Sequence, residues 1–193
     1  MFKRYTKDFW LLSFSMFFFM LSFNLILPEM NGFISGLGGS EVKGSIIFLF
    51  SVAAGISRPF AGKLADLIGR KRSVYIGLAI AIAASLSYAW VGALAIFFVL
   101  RFAHGLSAGF APTGATALLT DILPPGRKGA AMGLWGTFIS LGIGIGQALG
   151  SYIFAHSNFD TLFMTAAAFG LLAILLMSPI KETLPQQQAF NWK

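Results

Sequence analysis

The chain of 193 residues has no cysteine, which excludes disulfides and thiolate metal sites. Charge is scarce: 11% of the residues are Asp, Glu, Lys or Arg, against roughly 25% in soluble domains. Only seven residues are acidic and two are His, and none of these falls in a metal-ligand spacing. No Walker phosphate loop is present, so ATP-driven chemistry by this chain is not expected. The serines lack a G-x-S-x-G elbow or a paired base. Neither an enzyme nor a cofactor or metal protein is therefore expected. No Asp or Glu lies mid-run either: Glu29 sits at one end of an apolar run, and Asp8, Asp66 and Asp121 near ends of others.

What fills the chain instead is apolar. Hydrophobic residues make up 56%, with 21 Phe and 22 Gly, a composition suited to lipid-embedded helices. Six runs can cross a hydrocarbon core as helices of about 20 residues. They fall near Phe9–Pro28, Gly44–Ala65, Ser73–Val91, Ala93–Leu119, Gly129–Phe154 and Asp160–Ser178. Each is apolar all round, without the alternation of barrel strands, so the expected class is all-α and polytopic, with membrane lipid as its surroundings. The basic start, "MFKRYTKDFWLL", runs into an apolar stretch without a small-residue cleavage pattern, and is read as a retained first span.

The net charge of +7 does not point to nucleic acid, because the cations lie in short loops without a basic-aromatic patch. Of the 14 Lys and Arg, 11 fall on one side if the N-terminus is cytoplasmic: Lys3, Arg4, Lys7, Lys63, Arg70, Lys71, Arg72, Arg127, Lys128, Lys181 and Lys193. Lys43 lies in an outer loop, and Arg58 and Arg101 lie within spans. This bias predicts cytoplasmic termini and places Tyr88 and Trp90 in an outer aromatic belt. The first outer loop, "EMNGFISGLGGSEVK", is Gly-rich and reads as flexible. The third and fourth spans form a tight hairpin, and residues 181–193 read as an exposed polar linker. No internal repeat is evident in the residues.

Three elements carry more. In "GKLADLIGRKR", Gly62 permits a close helix approach, Gly69 supplies the turn, and Asp66 lies among Lys63, Arg70, Lys71 and Arg72. In "LRFAHGLSAG", Arg101 lies about 12 Å inside the outer end of its span. A cation at that depth either faces a polar cavity or snorkels outward. His104, nearly on the same face, either shares that role or is packed. In the fifth span Gly142, Gly146 and Gly150 recur every four residues, a face for tight helix contact, with Gly133 upstream. Asn24 and Gln147 are uncharged cavity-lining candidates or interhelical hydrogen-bonding residues.

The spacing Gly62-x-x-x-Asp66-x-x-Gly69-Arg70-Lys71 resembles the signature loop between helices two and three of the major facilitator superfamily. Leu67 stands where the family has a basic residue. The Arg101-x-x-x-Gly105 element resembles the family's fourth-helix motif, associated there with the central cavity and proton movement. Gly133, Gly142, Gly146 and Gly150 resemble the glycine pattern of its antiporter subgroup, with Gln147 in place of Pro and Ser151 in place of Gly.

The resemblance implies the N-terminal six-helix half of a transporter with two halves around a midplane cavity. It implies that Asp66 meets a helix of the opposite half, and that Asp121 either pairs with Arg70 or is a solvated loop acid. The function expected is proton-coupled secondary transport of a small organic solute or drug across the plasma membrane, with efflux favoured over uptake. A second six-helix half or a homodimer is the expected partner. The alternative is a non-transporting scaffold or half-transporter subunit.

Overall fold

With no water to satisfy backbone groups in hydrocarbon, long apolar runs must bond internally, and helices do so within one segment. The computed structural model describes residues 5–123, 126 and 128–184, and all regular structure there is helical. The elements are α1 (Lys7–Ile26), α2 (Met30–Gly36), α3 (Ser45–Ile68), α4 (Arg70–Ser87), α5 (Leu94–Ile122), α6 (Lys128–His156) and α7 (Phe159–Met177). All but α2 are long and apolar enough to span a membrane. Lys3, Arg4, Arg127 and Lys193 of the expected charge bias lie outside the described residues, as do tail residues 185–193.

Local chemistry sets the helix ends. Thr6 caps α1 by accepting from the Phe9 N–H at 3.3 Å, and Asn158 caps α7 by accepting from the Thr161 N–H at 2.9 Å. Gly69, at φ 121°, ends α3 and starts α4 with no intervening residue. That conformation is open to glycine and closed to side-chain-bearing residues. Helix α4 therefore begins at Arg70, three residues before the expected Ser73. The turns at Gly69, Leu123 and Ser178 lie at one end of the bundle, termed here the basic end.

The substantial neighbours run in the order α6–α1–α7–α4–α5–α3. Exchanging α1 with α5, α3 with α6 and α4 with α7 reproduces the same set of pairings, and α1 and α5 run in opposite directions. This is an inverted three-plus-three repeat, invisible in the residues but present in which helices touch. Helices α3 and α6 end the row and are the least buried spans, whereas α1 is the most buried. Contact between α1 and α5 is sparse, leaving a seam between the two symmetry-related helices.

Apolar packing forms two layers along α1. Near the basic end, Phe9, Leu12 and Met16 meet Leu78, Leu118 and Met177. Toward the other end, Leu25, Met30 and Ile34 meet Phe97, Leu162 and Phe163. The first loop is consequently not the loose connection that its glycines suggest. Its residues Met30–Gly36 form α2, with Met30 and Ile34 fully buried.

Candidate functional site

Arg101 is wholly buried, so it does not snorkel to an interface. Seven residues into α5, it lies roughly 10 Å from that helix's start. Its Nε donates to the Ile46 carbonyl of α3 at 2.9 Å. Its guanidinium stands over the rings of Phe50 on α3, at 4.9 Å, and Phe23 on α1, at 5.6 Å. Such face-on aromatic contact attracts a cation that has left water, by about 2 kcal/mol or more. Nη1 and Nη2 have no partner among the described residues. The Tyr88 phenol lies close enough to interact with the guanidinium, although not in hydrogen-bond geometry to Nη1 or Nη2.

His104 lies in the same box, also wholly buried, with both ring nitrogens unpartnered. Its ring meets Phe23, Phe50 and Tyr88 at centroid distances of 5.5, 6.1 and 5.8 Å. Tyr88, expected in an outer belt, is fully buried instead, packed on Phe97 and Phe163, with its phenol facing Arg101. The turn Tyr88–Trp90 that follows α4 swings this ring inward and leaves Trp90 exposed. Sequence reasoning found the two polar members on α5. It missed Phe23, Phe50 and Tyr88, which arrive from α1, α3 and the turn after α4.

Asn24 is adjacent to Phe23 and nearly buried, but its amide donates to the Met20 carbonyl at 2.8 Å. Gln147 is exposed on α6, which packs on α1 rather than α5. No hydrogen bond links either to Arg101 or His104 among the described residues. The glycine row of α6 is contact surface. A Cβ at Gly142 would lie 2.5 Å from the Phe17 carbonyl oxygen, one at Gly146 would lie 2.8 Å from that of Leu21, and one at Gly150 would overlap that of Leu25. Gly133 is different: it is exposed, with nothing within 4 Å of an added Cβ. Nine residues at 100° each put it on the face of α6 opposite Gly142. The α3–α5 pair, symmetry counterpart of α1–α6, uses the same device, with Gly105 against the Phe50 carbonyl and Gly109 against Ser57.

At the basic end the loop residues form a clasp. Arg70 Nε lies 2.5 Å from the Asp121 carboxylate of α5, and its Nη2 lies 3.8 Å from Asp66. The Arg70 side chain is 13% exposed and Asp121 27%, whereas Asp66 is 72% exposed, so Asp121 is the stronger partner. Thr183 donates to Asp121 at 2.6 Å. The Glu182 carboxylate accepts the backbone N–H groups of Arg70, at 2.9 Å, and Lys71, at 3.1 Å. It thus supplies the negative charge and acceptors that an N-terminal turn lacks. Lys71 Nζ reaches back to the carbonyls of Ser178 and Ile180 beyond α7, at 2.7 and 2.6 Å.

Gly69 serves the clasp twice over, since a Cβ there would also collide with Glu182. Gly62 makes only an ordinary contact, 3.9 Å to Thr113, and not the close approach expected of it. The beginning of the tail, expected as linker, is instead tied to α4 and α5. Its acid next to Lys181 gave no sequence signal that separates a helix cap from a solvated charge.

The sequence profile described as "Major Facilitator Superfamily" matches residues 12–193. "Quinolone resistance protein NorA" of Staphylococcus aureus is 29% identical over 184 residues, covering 92% of this chain and 47% of that protein. "Multidrug resistance protein 2" of Bacillus subtilis is 31% identical over 166 residues, covering 85% of this chain and 41% of its own length. The crystal structure of the human organic anion transporter MFSD10 (TETRAN) superposes with a TM-score of 0.80 at 22% identity, over 93% of this chain and 48% of that one. The chain thus spans about half the length of the curated relatives it matches.

Proposed function

This chain belongs to the major facilitator superfamily, and from that membership we propose that it forms six helices of a proton-coupled exporter of small organic solutes or drugs. The relatives named for quinolone and multidrug resistance support the substrate class. The observation that carries the reading is Arg101: a fixed cation with unpaired donors where α1, α3 and α5 converge. Parting α1 from α5 along their sparse seam would admit water and solute to it, and closing the seam would return it to its aromatic box. The cation then repels protons and other cations when the site is wet, and holds anionic or hydrogen-bond-accepting groups. His104, beside it, exchanges protons once solvated.

A second six-helix unit completes the cavity and gives exposed Asp66 its partner. The basic end faces the cytoplasm of the plasma membrane, in keeping with the cation bias. The test is substrate-driven proton movement in everted vesicles from cells expressing the protein. Arg101→Ala is expected to abolish it and Arg101→Lys to reduce it sharply, because Lys cannot fork toward two acceptors. Transport by Arg101→Ala at the wild-type rate refutes the reading, and activity that survives an uncoupler refutes proton coupling.

A further inference from the structure

The connection between α1 and α3 carries structure that the sites above do not use. Helix α2 is only seven residues long, yet both of its ends are fixed. At its start, the Glu29 carboxylate accepts from the Ser151 hydroxyl of α6 at 2.8 Å. At its finish, Gly38 takes φ 83°, and the N–H groups of Gly38 and Gly39 donate to the Ser35 and Ile34 carbonyls, at 3.0 and 2.9 Å. These two bonds form a Schellman cap, which turns the chain off the helix in one defined direction. Gly39 is thereby pressed against Leu94, the first residue of α5, where an added Cβ would lie 2.7 Å from the leucine side chain. Helix α2 thus runs as a strap from the α1–α6 side of the seam to the α3–α5 side.

Between its anchors the strap reaches into the bundle. Asn31, Gly32 and Gly36 are exposed, whereas Phe33 is half-buried and meets four rings. These are Tyr88 at 6.3 Å, Phe97 of α5 at 6.0 Å, and Phe159 and Phe163 of α7 at 5.0 and 5.3 Å. All lie within the ~4.5–7 Å of favourable aromatic pairing. Helices α5 and α7 are inner members of the row, not α3 or α6 at its ends. Tyr88 joins the strap to the box, since it meets His104 as well as Phe33 and its phenol faces Arg101. Arg101 lies about two helical turns beneath the level of Leu94.

We propose that Phe33 is a positioning residue for the Arg101 box and that α2 is the gate over its far side. Seated, Phe33 holds the Tyr88 ring toward His104 and Arg101, and the box stays dry. Lifted, it frees that ring to turn aside, and the box opens toward the end of the bundle away from the basic loops. Because the strap crosses the seam, parting α1 from α5 pulls on both of its anchors. As a step in transport the inference rests on the export reading; as a statement of what covers the box it stands alone.

The chain carries its own probe and internal control. It has two histidines. His156 is exposed; His104 is wholly buried with both ring nitrogens unpartnered among the described residues, so packing is what shields it. The test treats the chain in phosphatidylcholine nanodiscs with diethyl pyrocarbonate and follows each histidine by peptide mass spectrometry. In the wild type His156 is expected to react and His104 to be protected. Phe33→Ala should speed modification of His104 by about tenfold or more and leave His156 unchanged. Phe33→Leu, which keeps apolar bulk without the ring, should fall between, and it decides the matter if Phe33→Ala does not fold. Tyr88→Ala should also expose His104, and adding Phe33→Ala to it should change little more, because the two act in series. Leu12→Ala, an equally buried loss near the basic end, should leave His104 protected.

His104 modified at the wild-type rate in Phe33→Leu overturns the proposal. So does equal exposure by Leu12→Ala, which would mean general loosening, or a full further effect of Phe33→Ala on Tyr88→Ala. A wild type whose His104 reacts as fast as His156 overturns it too. Exposure of His104 by Phe33→Leu in a chain that fails the Arg101 vesicle test would sustain this inference and sink the export reading; proton-coupled transport with His104 indifferent to Phe33 would do the reverse.

Discussion

Replacing the α6 glycines one at a time by alanine separates backbone contact from helix propensity. Every Gly→Ala change in a helix gains about 0.5–1 kcal/mol from propensity. At Gly133 nothing opposes that gain, since an added Cβ meets open space. At Gly142 the new methyl group would sit 2.5 Å from the Phe17 oxygen, and ordinary contact begins near 3.4 Å, so α6 must retreat by 0.9 Å. At Gly146 the figure is 0.6 Å, from 2.8 Å, and at Gly150 it is larger than either. The opposing atoms are backbone oxygens, which cannot swing aside as a side-chain tip can. Overpacking of this kind costs typically about 1–3 kcal/mol. Gly150→Ala should therefore fall about 1–3 kcal/mol below Gly133→Ala, with Gly142→Ala next and Gly146→Ala mildest of the three. Thermal unfolding in a non-denaturing detergent, followed by tryptophan fluorescence, should separate the extremes by roughly 2–12 °C. If Gly150→Ala melts with or above Gly133→Ala, the close α1–α6 approach is not the native packing.

The two acids of the clasp should behave unequally. Asp121→Asn strips a mostly buried Arg70 of its near counter-ion and should cost about 1–3 kcal/mol in the same melting assay. Asp66→Asn, at an exposed and longer pair, should stay within about 1 kcal/mol of wild type; the opposite ranking would contradict the geometry. Ser15 and Ser22 donate from α1 to the Ala173 and Ala166 carbonyls of α7, at 2.8 and 2.6 Å. Changing both to Ala should destabilise additively, by about 0.6 kcal/mol each. A neutral double variant would show that α7 is held by packing alone.

What could be read in advance follows a physical division. Arg101 was legible because a cation in an apolar run is expensive anywhere, whatever surrounds it. Its box was not, because Phe23, Phe50 and Tyr88 look like any other apolar side chains until the helices pack. The four-residue glycine spacing revealed a helix face directly. Gly133 was grouped with that face by resemblance, and the angular arithmetic of α6 sends it to the other side. Glu182 escaped notice because capping a helix more than a hundred residues away leaves no local pattern. The inverted repeat escaped for a related reason: it is conserved here as neighbour relations, and different side chains fill equivalent contacts.

The position of α1 at the centre has a consequence for how the chain is made. Its two largest partners, α6 and α7, are the last of these six spans to be synthesised. From Ile26 to Lys128 is 102 residues, which takes about 5–20 s at ordinary elongation rates. Through that interval α1 resides in the bilayer with the hydroxyls of Ser15 and Ser22 awaiting α7, and with the backbone face that α6 will cover still bare. Of these six spans, the one made first is thus the last to be enclosed. Anything that stalls synthesis before α6 strands it in that state, and substitutions on its inner face should be felt first as failures of assembly.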